Sequence, residues 1–107
     1  MIIAAVTFTP EARDHITALY RWLATDASPE IATRYTEALL SRCEDLNLFP
    51  ERGTPRDDIR PGLRMTSYRR RTIIAFTINA DQVTIIGVFH GGQDYHAILD
   101  QAYPEGD

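Results

Sequence analysis

The sequence predicts an α+β fold in which a hairpin of two helices covers an antiparallel sheet. Three observations carry this expectation. The first half holds two capped segments of helical periodicity, the second half holds three runs of β character, and a breaker-rich stretch divides them. At 107 residues and 44% hydrophobic side chains, the chain suffices for one modest core, so residues 1–107 are expected to form a single domain.

The elements follow in order. Residues 2–8, IIAAVTF, are β-branched and aromatic and read as a strand. Thr9 then caps a helix whose first position is Pro10, where a missing N–H costs nothing. Through residue 26, Ala12, Ile16, Leu19, Tyr20 and Leu23 repeat along one helical face. Ser28 and Pro29 restart the same signal, and Ile31, Tyr35, Ala38, Leu39 and Leu46 form a second stripe that Phe49-Pro50 ends. Gly53, Pro55, Asp57, Asp58, Pro61 and Gly62 make residues 51–62 a loop. Strands are predicted over Leu63–Tyr68, Thr72–Ile78 and Val83–His90, with residues 79–82 turning the last pair. Gly91-Gly92 stops the final strand, residues 93–101 suit a short helix or turn, and about 102–107 read as a frayed end.

Period two then assigns faces. With two-residue turns at Arg69-Arg70 and Ala80-Asp81, Leu63, Met65, Ile74, Phe76, Ile78, Val83, Ile85 and Phe89 point toward the helices. In that register Tyr68 stands opposite Arg71, Arg64 opposite Ala75, Ile74 opposite Gly87, and Arg71 opposite His90. Arg64, Tyr68, Arg71 and His90 gather on the outer face beside Ile73, Ile86 and Val88. A slip of one residue in either turn breaks this grouping.

Charge marks the same region. The chain carries a net charge of -4, yet all eleven basic residues are arginines, and residues 51–71 hold seven of them against three acids. A local basic patch on an acidic body suits an acidic protein segment or a defined anion rather than bulk nucleic-acid binding. Arginine forks onto carboxylate or phosphate and stays protonated, so the chain is equipped for anion clamping more than for proton transfer. The apolar neighbours Ile73, Ile86 and Val88 favour a protein partner, since a nucleic-acid groove would carry stacking aromatics there.

Plainer roles fit several residues. Trp22 and Tyr20 suit helix packing, Cys43 suits the core, Asp57 and Asp58 suit neutralisation of Arg56 and Arg60, and a strand-end histidine such as His90 is commonly a surface group. No metal-ligand spacing, paired carboxylates, nucleophile elbow or phosphate loop occurs, so no metal and no cofactor are expected. With no apolar run near 18 residues and no charged signal-peptide region, a soluble cytoplasmic protein is expected, with no membrane partner.

The ordered set FPERG, RPGLR at Arg60–Arg64, RTIIAFTI and VTIIGVFHGGQDY at Val83–Tyr95 resembles the ParE branch of the RelE/ParE toxins of type II toxin–antitoxin modules. The resemblance implies a β-α-α-β-β-β architecture and the toxin half of a plasmid-stabilisation type of module, held inactive by a ParD-like antitoxin with an acidic region. ParE-like members are associated with poisoning DNA gyrase, which makes the chain a protein inhibitor rather than an enzyme. In that reading Arg60, Arg64, Arg69, Arg70, Arg71, Ile73, Ile86, Val88 and His90 contact antitoxin or target, and none is catalytic. RelE-like members instead cut mRNA on the ribosome without a metal; that alternative would place Arg64, Arg71, His90 and Tyr68 at the scissile phosphate. A third possibility is an inactive antitoxin-binding module. The absence of lysine, the acidic whole and the HGGQD ending favour the gyrase-directed branch.

Overall fold

The computed structural model describes residues 5–48, 51–80 and 82–91. Strand β1 (Ala5–Phe8) leads into helix α1 (Pro10–Asp26), and α2 (Pro29–Glu44) returns beside it before a single 3-10 turn at Asp45–Asn47. Both starts follow from the sequence. The Thr9 hydroxyl accepts the Ala12 N–H at 3.1 Å and the Ser28 hydroxyl accepts the Ile31 N–H at 3.1 Å, each satisfying a donor that the first turn leaves without a helical partner. Leu46 is buried as expected, but in the 3-10 turn rather than in α2.

Four more strands complete the sheet: β2 (Thr54–Pro55), β3 (Leu63–Tyr68), β4 (Thr72–Asn79) and β5 (Gln82–His90). Their order is β1-β5-β4-β3-β2. The predicted α+β fold of helices over a sheet is what forms. Two features are additional. β1 joins β5 in parallel, so the sheet is mixed, and the two-residue β2 lies inside the stretch expected to be loop. A two-residue pairing leaves no periodicity for a sequence pattern to show. The expectations for residues 2–4, for Phe49-Pro50 and for everything after Gly91 lie outside the described residues.

Both hairpin registers differ from the expected ones by one residue. Tyr68 pairs with Thr72 and Arg64 with Phe76, so Arg69–Arg71 form a three-residue connection. Arg69 and Arg70 both take positive φ, 54° and 65°, and Arg71 N–H reaches back to the Tyr68 carbonyl at 3.3 Å. In the other hairpin Ile78–Val83 and Phe76–Ile85 pair as expected, after which a bulge intervenes. Ala75 then faces Gly87, and His90 faces Thr72 rather than Arg71. Ile86 is the extra residue, and it re-phases everything after it.

The two slips exchange faces. Arg64, Tyr68, Val88 and His90 remain together but lie on the helix side, while Leu63, Met65 and Phe89 move to the outer side with Ile73 and Ile86. Each face has its own core. Leu19, Leu39, Cys43, Leu46, Tyr68, Ile74, Phe76, Val83, Ile85 and Val88 pack beneath the helices. Ile59, Leu63, Met65, Ala75, Ile86 and Phe89 pack on the reverse, where the loop bearing Ile59 covers them. Cys43 is fully buried, and burial pushes its thiol pKa up to about 12. In that loop Arg56 makes a bidentate pair with Asp58 at 2.8 and 2.9 Å, and Asp57 accepts the Gly62 N–H at 2.9 Å.

Candidate functional site

A cleft of about 550 Å³ opens where α1 crosses the end of β5. One wall is His15, Ala18, Leu19 and Trp22, a single helical face at i, i+3, i+4 and i+7; Val88, His90 and Gly91 line the strand side, and Arg71 completes the lining. The bulge at Ile86 creates this arrangement, because without it Val88 and His90 would face away from the helices.

A buried hydrogen-bonded chain holds His90. The Tyr35 hydroxyl lies 2.6 Å from Thr72 Oγ1, which lies 2.9 Å from His90 Nδ1, and Thr72 is completely buried. The cross-strand pairing of Thr72 with His90 sets this geometry. If Tyr35 donates to Thr72 and Thr72 donates to Nδ1, the neutral ring carries its proton on Nε2; reversing the chain reverses the tautomer. Aromatic groups surround the imidazole: Trp22 at 5.0 Å and Tyr35 edge-on at 6.1 Å between ring centroids. Burial holds the His90 pKa below its ordinary value, and the Arg71 guanidinium lowers it further. Both effects favour the neutral ring.

His15 has a different task. β1 pairs only as far as Ile85, and the Thr9 N–H still reaches the Ile85 carbonyl at 3.0 Å as the chain turns into α1. Beyond that point no strand among the described residues neighbours the edge of β5, and His15 Nδ1 accepts the Val88 N–H at 3.1 Å. The imidazole replaces a strand. Its Nε2 must then hold the proton, and burial lowers its pKa in spite of Asp14 and Glu11 nearby. Phe89 packs against it at 5.0 Å, an approach that Gly87 permits, since a Cβ there would stand 2.6 Å from the Phe89 ring.

Of the residues singled out from sequence, Arg71, Val88 and His90 meet in the cleft. Arg69 lies over the Tyr68 and Tyr35 rings at 5.2 and 5.9 Å, and Arg70 is exposed beside it. Tyr68 is buried in the helix-side core. Arg64 turns its guanidinium onto the carbonyls of Glu51 and Gly53, tying the loop to β3. Arg60 belongs to the loop that carries Ile59, and Ile73 and Ile86 belong to the outer core, so none of the three lines the cleft. Trp22, His15, Tyr35 and Thr72 were not anticipated as site residues. The spacing 15-18-19-22 is legible as a second helical face, but only long-range pairing brings Thr72 to His90. Trp22 keeps 47% of its surface exposed, which packing alone does not explain.

No curated protein matches the chain in sequence. A solved structure of the chromosomal ParDE toxin–antitoxin system from P. aeruginosa is similar in fold, with a TM-score of 0.73 over 83% of this chain and 97% of that one, at 18% identity. The model of the family described as the ParE toxin of the type II toxin–antitoxin system parDE matches residues 6–95. With the helical hairpin, the cleft and all of the sheet but Ala5 inside that match, the chain belongs to the ParE toxin family.

Proposed function

We propose that this ParE-type toxin acts in the cytoplasm as a single domain, inhibits DNA gyrase by contact rather than by catalysis, and is neutralised by a ParD-like antitoxin. One observation supports contact over RNA cleavage. Of Arg64, Tyr68, Arg71 and His90, the set that cleavage would need, only Arg71 and His90 share the cleft, while Arg64 is committed to loop carbonyls and Tyr68 to the core. A neutral imidazole beside one guanidinium can accept a proton, but among the described residues the cleft offers no carboxyl, lysine or tyrosine side chain to serve as the matching general acid. His15, the other imidazole in the cleft, already spends Nδ1 on the Val88 N–H.

The antitoxin's acidic region would meet the Arg69–Arg71 turn, where three consecutive guanidinium groups concentrate positive field on an acidic body. Purified toxin is expected to inhibit gyrase supercoiling and to leave mRNA intact on programmed ribosomes, with both effects measured side by side. Ribosome-dependent cleavage lost on His90→Ala would overturn this reading in favour of an endoribonuclease. Antitoxin binding with neither activity would leave an inactive binding module.

A further inference from the structure

We infer that the α1–β5 cleft is a binding site for one nucleotide unit of a single-stranded nucleic acid, with the base on Trp22 and the phosphate on Arg71. The inference is independent of which protein the toxin inhibits. The observed register brings the His90 ring to the helix side, where it meets the exposed Trp22 beside Arg71 in one cleft. Trp22 is the sole tryptophan of the chain and almost half exposed, and the His90 ring backs it at 5.0 Å. That is the form of a platform on which any base stacks.

The electrostatics agree. Among the described residues the Arg71 guanidinium has no hydrogen-bond or ion-pair partner, and no carboxylate lines the cleft to compete for it. Arg69 and Arg70 continue the positive edge for neighbouring phosphates. The cleft's volume, about 550 Å³, lies within the usual range for a small ligand of nucleotide size. An acidic peptide would satisfy Arg71 but would leave the exposed indole without a role. The proposal is binding, not cleavage.

Trp22 fluorescence reports on the site directly. The free toxin is titrated at pH 7.5 with ten-nucleotide oligo(rA) and oligo(dA), and in parallel with a ten-residue polyglutamate peptide. Saturable quenching by the oligonucleotides that weakens with salt is expected, and polyglutamate, which can pair with the turn arginines but cannot stack on the indole, should quench less. Arg71→Gln, at an exposed turn position, should weaken binding about five- to tenfold and flatten the salt dependence by roughly one phosphate contact, with an unchanged melting temperature as the check on folding. Trp22→Ala, followed by anisotropy of a labelled oligonucleotide, should weaken it about tenfold, in line with loss of one stacked base. Similar affinity for RNA and DNA, or preference for either, supports the site. Absent quenching, indifference to Arg71→Gln, or equal quenching by polyglutamate overturns it, the last assigning the cleft to an acidic protein segment.

Discussion

Thr72 is fully buried between two side chains whose orientation depends on it. Thr72→Val keeps the shape but strands the Tyr35 hydroxyl and His90 Nδ1, so a loss of about 1–3 kcal/mol in urea denaturation is expected. The His90 ring signals should also shift in NMR spectra, because the Nδ1 partner changes. The two cleft histidines predict a pH dependence as well. Both have folded-state pKa values depressed below the ordinary 6.5, so the unfolded chain binds protons more readily. Their stabilising effect is complete above pH 6.5 and is lost as pH falls through the folded values. Melting temperature should therefore decline on acidification below 6.5, and a His15→Asn, His90→Asn double variant should flatten that decline above the carboxylate range. A decline identical in the double variant would place its origin elsewhere.

Among the elements, the Arg69–Arg71 turn shows most clearly where binding and stability oppose each other. Two successive non-glycine residues at positive φ cost on the order of 1–2 kcal/mol each. Arg69 recovers part of this by lying over Tyr68 and Tyr35, whereas Arg70 has no such ring contact. Arg70→Gly should raise stability by about 1 kcal/mol and at the same time weaken antitoxin affinity, two measurements expected to move in opposite directions. This turn also explains what the sequence concealed. Caps, helical stripes and three strands were legible because each is a local pattern. Leu63–Tyr68 was placed to the residue, and Pro10–Asp26 likewise. Register was not, because RRR contains no residue that announces a three-residue connection at positive φ, and IIGVF reads the same with or without a bulge at Ile86. Each missed residue inverted a face, so of the expected outer group Arg64, Tyr68, Val88 and His90 lie on the helix side, Ile73 and Ile86 part from them to the outer cluster, and Arg71 falls in the turn.

At the scale of the whole molecule, the sheet is a partition between two cores, with apolar side chains buried on both faces. Phe89→Ala, on the reverse side, should cost about 3–5 kcal/mol, comparable with a large-to-small change beneath the helices such as Leu39→Ala at about 2–5 kcal/mol. A negligible loss for Phe89→Ala would mean that the outer cluster is ornamental. Arg64 joins the 51–53 loop to this body through carbonyl contacts, so Arg64→Ala should increase proteolytic nicking and amide exchange in that loop more than it weakens antitoxin binding. The bulge at Ile86 has a genetic corollary. Loss of the codon for Ile86 keeps the reading frame and removes only the unpaired residue, so Gly87, Val88 and His90 can keep Ala75, Ile74 and Thr72 as partners and the cleft keeps its strand side. In-frame triplet deletions at this position should therefore be scarce among the escape mutants of cells that survive induction of the toxin without its antitoxin, whereas one codon inserted beside it, which either widens the bulge or re-phases Val88 and His90, should appear among them.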